Sequence, residues 1–118
     1  MFRVLPALAA LAAVPLLGGC ALSPFGGMFM SPTDCMTRVM YFESNRSSAD
    51  GMLAVGTVVM NRVNDPKYPH SVCGVVGQAN QFAPGVLWLP MHRGAGLALA
   101  HEMARRVLNG EPHTDVGG

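Results

Sequence analysis

Glu43 is the residue of this chain best suited to chemistry. It sits in Val39-Met40-Tyr41-Phe42-Glu43-Ser44-Asn45, a mostly apolar run that turns polar just after the carboxylate. Aromatic and sulfur neighbours predict a carboxylate stripped of part of its hydration. Desolvation disfavours the charged form, and this is how a carboxylic acid keeps its proton near neutral pH and acts as a general acid. A lone Glu at a helix end is usually only an exposed charge. Here two further motifs accompany it. Asn61-Arg62 follows eighteen positions later, at the end of a second apolar segment, and Asn80-Gln81-Phe82 comes after that.

Positioning these groups requires a set of helices. The first is predicted to begin after Thr33 or Asp34, either of which can cap it. Met36, Val39, Met40 and Glu43 fall at helical spacing, which places Glu43 on or beside the buried stripe near the helix end. Asn45-Arg46-Ser47-Ser48 reads as a turn, and Ser47 or Ser48 can cap a second helix over roughly 49–63, with Asp50 in its first turn. In that helix Met52, Val55, Val59 and Val63 form one stripe, and Leu53, Ala54, Val58 and Met60 widen it almost to the full circumference. Such a helix is predicted to be the central one of the core. Gly56 in its interior predicts a close helix approach.

Asn64-Asp65-Pro66 ends the second helix, and Ser71 can cap a short one through Val76. Residues 77–90 carry Gly, Pro, Asn and Gln without a period, and predict a long loop or short hairpin of the kind that borders a cleft. A final helix is predicted over roughly 94–109. Leu97, Ala100, Ala104, Val107 and Leu108 lie on its core face, and Gly110 serves as its stop. No internal repeat is visible. The result is one small, mainly α domain.

The N-terminal residues 1–19 read as a secretory signal rather than as part of the fold. Arg3 is followed by an apolar run to Leu17, broken by Pro6 and Pro15 and too short for a comfortable membrane span. Leu17-Gly18-Gly19-Cys20 resembles a bacterial lipobox. That resemblance implies cleavage before Cys20, lipid on Cys20 and attachment to a membrane surface without a transmembrane helix. Ala21, in place of Asp, implies the periplasmic face of the outer membrane. The alternative is an ordinary signal peptide or an uncleaved anchor. Residues 20–32, with Pro24, Gly26, Gly27 and Pro32, read as a flexible tether. The domain then occupies residues 33–118.

Removing Arg3 leaves seven basic and seven acidic side chains, so the mature charge is zero. Nucleic-acid binding asks for a clustered basic face, which is absent from the sequence. With Cys20 assigned to lipid, Cys35 and Cys73 form an even pair in an oxidising compartment, and a disulfide between them is expected. The alternative is two buried free thiols. No metal site and no cofactor are expected. There is no CxxC pair, the four His are scattered, and His101-Glu102 fails as HExxH because position 105 is Arg.

Tyr41-Phe42-Glu43, the segment from Gly51 to Val59, Asn61-Arg62, Pro69, Cys73-Gly74-Val75-Val76 and Gln81-Phe82 together resemble the cell wall hydrolase family of spore-cortex-lytic enzymes and their Gram-negative relatives. The similarity spans about 33–82. Glu43-Ser44 also resembles the opening of the lytic transglycosylase catalytic motif. The resemblance implies a lysozyme-like, mainly helical α+β domain with peptidoglycan as partner and Glu43 as the catalytic acid. It implies site support, substrate contact or packing for Tyr41, Asn61, Arg62, Gln81 and Phe82. Phe82 and Trp88 are candidates for stacking on sugar, or else for a satellite core.

Two departures from the family pattern stand out. Many members carry a second acid four positions after the catalytic Glu, where this chain has Ser47. Family domains also generally continue past a turn like Asp115-Val116-Gly117-Gly118, so a domain incomplete at its C-terminus is expected.

Most glycosidases use two carboxyl groups. The other acids are Asp34, Asp50, Asp65, Glu102, Glu111 and Asp115, and none sits in an evident active-site context: Asp34 and Asp50 read as helix-start residues and Asp65 as a turn former. Lytic transglycosylases, by resemblance, need one: the same Glu serves as acid and then as base. Simple hydrolysis is the alternative from the same residue. A different class of reading is a non-catalytic peptidoglycan-binding envelope lipoprotein. A peptidase or amidase is disfavoured, because there is no Ser elbow, no zinc pattern and no unassigned Cys.

Overall fold

The computed structural model describes residues 30–111. The signal peptide read over 1–19, the lipidation site Cys20, residues 21–29 of the tether read over 20–32 and the terminal Asp115–Gly118 lie outside the described residues, whereas Ser31 and Pro32, read as the end of that tether, belong to the start of the first helix. Four helices make up the described fold, and no strand occurs among these residues: α1 Pro32–Glu43, α2 Ala49–Val63, α3 Val72–Val76 and α4 Ala95–Leu108. The class is mainly α, as expected, and the described residues contain no sheet.

The helix starts follow from side-chain caps. Ser48 Oγ accepts from Gly51 N at 2.9 Å and opens α2, and Ser71 Oγ accepts from Gly74 N at 3.0 Å and opens α3. The start of α1 departs from expectation. Its cap is Ser31, whose Oγ accepts from Asp34 N at 3.0 Å, and Pro32 occupies the first turn. Proline is preorganised for that position and has no N–H to leave unpaired. Thr33 and Asp34 therefore lie inside the helix, not before it. The fourth helix starts at Gly94 without a side-chain cap and ends at Asn109, whose N–H reaches the carbonyls of the last turn.

Both α1 and α2 pack against each other and against α3 and α4. The fully covered side chains are concentrated on α1, however: Cys35, Met36, Val39 and Met40 have no exposed surface. The expectation that α2 is the centre needs correcting. Met52, Gly56 and Val59 face the core, while Leu53, Ala54, Val55 and Val58 are only half-buried. Apolar residues around most of a helix do not by themselves supply neighbours on every side. The core is completed by Val72, Val75 and Val76 from α3, Val86 from the long loop, and Ala100, Met103, Ala104 and Val107 from α4. Burying each of the larger side chains stabilises the fold by roughly 1.5–3 kcal/mol relative to exposure. The buried hydroxyls of Thr37 and Thr57 donate to the carbonyls of Thr33 and Leu53 one turn back, so neither brings an unpaired donor into the interior.

Cys35 on α1 and Cys73 on α3 form the expected disulfide, with Cα atoms 5.3 Å apart. The close approach expected at Gly56 is also present. A methyl group there would come to 2.5 Å from Met40 Cε and 2.9 Å from Val107 Cγ2. Gly56→Ala would gain about 1 kcal/mol of helix propensity. Overpacking costs about 1–3 kcal/mol, and the branched Val107 is stiff at its χ1. Net destabilisation is expected, measured as a lower urea midpoint. Adding Val107→Ala should recover part of it relative to Val107→Ala alone. A Gly56→Ala midpoint above wild type would refute the close packing.

Candidate active site

Glu43 is the last residue of α1, and the chain turns immediately after it. Ser44 N and Ser44 Oγ both bond to Met40 O, at 3.2 and 2.6 Å, which closes the helix end. The Glu43 side chain is exposed. The covering expected from its aromatic and sulfur neighbours is therefore not seen: Met40 and Tyr41 are buried in the core while the carboxylate stays in solvent. One contact orients it. Ala83 N donates to Glu43 Oε2 at 3.0 Å, across forty positions of sequence. A charge-assisted bond from a main-chain N–H is short and directional.

Ala83 belongs to the long loop between α3 and α4. Together with Val76 at the end of α3, this loop up to Trp88 encloses a cleft of about 340 Å³ lined by Gln78, Asn80, Phe82, Ala83, Pro84 and Trp88 and by the apolar Val86 and Leu87. The cleft and the carboxylate thus share a residue. Arg38, on α1, fixes the far side of the loop: its Nη1 donates to Leu89 O at 2.7 Å and to Val86 O at 3.3 Å.

The other sequence candidates separate into three groups. Tyr41 is 3% exposed. Its ring meets Phe42 edge-on at 5.0 Å, its hydroxyl accepts from His92 N at 3.1 Å, and the Arg46 guanidinium lies 3.9 Å from its centroid. Arg46 Nε also donates to Tyr41 O at 3.1 Å. These contacts tie α1 to the turn after Glu43 and to the approach to α4, so Tyr41 holds the site's frame from within the core.

Arg62 and Phe82 come together. The guanidinium of Arg62 lies 5.3 Å from the Tyr68 ring centroid and 5.5 Å from that of Phe82. Arg62 therefore clamps the cleft loop to the end of α2 through cation–π contacts. Gln81 contributes through its main chain, donating to Gln78 O at 3.3 Å. Asn61 lines a different depression, with Thr57 and Met60 of α2, its C-terminal cap Asn64, and Val107 and Leu108 of α4.

Sequence reasoning missed several of these groups. No motif or period marks Arg38, Arg46 or Gln78, and Asn80 stands out only as the start of a motif. Asn80 has a φ of 66°, in the left-handed region that Asn enters more readily than most residues. An Asn beside Gln-Phe in an aperiodic loop was the available signal. Ser47, at the position of the expected second acid, donates its hydroxyl to Asn45 Oδ1 at 2.8 Å and serves the turn. Among the described residues no group of three His, Cys, Asp or Glu side chains is placed to hold a metal ion, and no helix is long and apolar enough to cross a membrane.

Residues 46–118 match the cell wall hydrolase family. A spore cortex-lytic enzyme of Bacillus subtilis (strain 168) is 31% identical over 57 residues, which cover 48% of this chain and 19% of that protein. A spore cortex-lytic enzyme of Oceanobacillus iheyensis is 30% identical over 66 residues, covering 53% of this chain and 24% of that one. The chain thus spans about a fifth to a quarter of the length of these relatives. No solved structure matches.

Proposed function

The chain belongs to the cell wall hydrolase family, and from that premise we propose that it is a peptidoglycan glycosidase in which Glu43 cleaves the bond between muramic acid and glucosamine. The observation that carries this reading is the Glu43 carboxylate, fixed by Ala83 N–H at the edge of an amide- and aromatic-lined cleft. The names of the two relatives, both cortex-lytic enzymes, support a cell wall polymer as substrate.

In the proposed reaction the protonated Glu43 gives its proton to the glycosidic oxygen as the bond to the muramic anomeric carbon breaks. A strand lying along the cleft would exclude water from this end of α1, and water exclusion favours a neutral acid over a charged one. The carboxylate left behind takes the proton of the muramic 6-hydroxyl. That oxygen then attacks the anomeric carbon and closes an anhydro ring. One carboxyl group serves as acid and then as base, which suits a site with Ser47 where a second acid is common. Water in place of the 6-hydroxyl would give simple hydrolysis by the same residue. In this reading Arg62, Phe82, Gln81 and Tyr41 hold or border the cleft, and Asn61 supports the α2–α4 seam. The reading includes lipid on Cys20 and attachment to the periplasmic face of the outer membrane, supported by Leu17-Gly18-Gly19-Cys20.

The test is incubation with purified peptidoglycan and mass analysis of the soluble muropeptides. Anhydro-muramic ends are expected. Reducing ends would mean hydrolysis and a water-positioning group elsewhere. Protein that pellets with sacculi but releases nothing would replace the enzyme reading with that of a binding lipoprotein.

A further inference from the structure

The cleft ends in an exposed indole. Trp88 is 75% exposed, and Leu89 beside it is the other large apolar side chain left uncovered among the described residues. Tryptophan carries one of the largest apolar surfaces of any side chain, and folding normally covers it. Contiguous exposed apolar surface is one mark of a binding site, and here it borders a cleft.

The backbone beneath this indole is held firmly. Gly85 takes a φ of 85°, which suits glycine, and its carbonyl accepts from both Trp88 N at 2.9 Å and Leu89 N at 2.8 Å. Val86 is anchored in the core. Arg38 holds the carbonyls of Val86 and Leu89 from α1. An aromatic plate on a turn pinned at both ends loses little further freedom when a ligand arrives. The same cleft reaches Ala83, the residue whose N–H orients Glu43.

We propose that Trp88 is the sugar-stacking platform of this cleft, bearing the apolar face of an N-acetylated pyranose ring in the strand that Glu43 cleaves. The C–H-rich face of a pyranose matches an indole in size and in polarity. Asn80, in the same lining, offers amide groups to the ring's hydroxyl and acetamido substituents. The inference rests on the glycosidase reading for the identity of the strand, though not for the existence of the platform.

The chain contains one tryptophan, so its fluorescence reports Trp88 alone. The full chain carrying Glu43→Gln, which binds without turnover, is titrated with soluble, peptide-free glycan strands prepared from peptidoglycan. A blue shift of the emission and at least about a twofold fall in acrylamide quenching are expected, as burial of an exposed indole produces. In sedimentation with sacculi, Trp88→Ala should weaken binding roughly three- to tenfold, and Trp88→Phe should retain most of it. Unchanged emission and quenching overturn the platform, whether or not the protein pellets; muropeptide release by the wild-type chain would then leave the glycosidase reading standing. A blue shift in a protein whose wild-type form releases no muropeptides supports the platform and removes the glycosidase reading.

Discussion

Glu43→Gln is expected to leave the helical domain folded and to lower muropeptide release by roughly 10²–10⁴-fold, the usual worth of a positioned general acid. The side chain is exposed at a helix end, so the substitution disturbs no core packing. The amide oxygen of Gln can still accept from Ala83 N, which keeps the orienting bond. The ability to give and retake a proton is what disappears. Unchanged far-UV circular dichroism and melting temperature, alongside lost release, would isolate the chemical role. A Gln variant that cleaves at the wild-type rate would end the assignment. Asp at this position is a sharper probe: it keeps the acid but shortens it by one methylene, and misplacement by about 1 Å can cost about a hundredfold.

The second large effect is on stability. Opening the Cys35–Cys73 bond, by reduction or by Ser at both positions, is expected to lower unfolding free energy by roughly 4 kcal/mol. The figure follows from a sequence separation of 38 residues and the loop-closure entropy returned to the unfolded chain. Small domains total only about 5–15 kcal/mol, so this is a large share. The consequence is local as well as global. A helix of five residues is too short to persist alone, and the bond fastens α3 to the most deeply buried helix. The loop carrying the cleft starts where α3 ends, so reduction should loosen the cleft before the whole domain melts. Urea midpoints with and without dithiothreitol test the global effect; coincident midpoints would contradict it.

How much of this was legible in the sequence differed by element. α3 could be read at both ends, because Ser71 is an unambiguous cap and Gly77 follows the last apolar residue. The extent of α2 was legible for the same reason, through Ser48 and Asn64. The start of α1 was misplaced because Ser31-Pro32 also suits the end of a proline-containing tether, and two further capping residues follow. Periodicity located Glu43 on the core side of α1, but it describes the flank of a helix and says nothing of what lies beyond its last turn. In the loop the Asn80-Gln81-Phe82 motif and Trp88 stand out as residue types, but the lack of a period leaves its path open. Its real constraints are main-chain groups: Ala83 N on Glu43, and the carbonyls of Val86 and Leu89 on Arg38. Every residue type offers a carbonyl and nearly every one an N–H, so such contacts leave no trace in composition or spacing. Arg62 was recognised as a site candidate, yet its place between Tyr68 and Phe82 depends on how two loops return to α2.

The bond from Ala83 to Glu43 also bears on how this site can drift over generations. Its donor is the peptide backbone, so the alanine side chain plays no part in it. Many replacements at position 83 would leave the carboxylate oriented, and among single exchanges proline alone deletes the donor outright. Register is a different matter. Inserting or deleting a residue between the end of α3 and position 83 would carry a different N–H, or a carbonyl, to the carboxylate. Selection on this part of the molecule should therefore fall on segment length more than on residue identity, with substitutions accumulating freely while the count of residues from Val76 to Ala83 stays fixed.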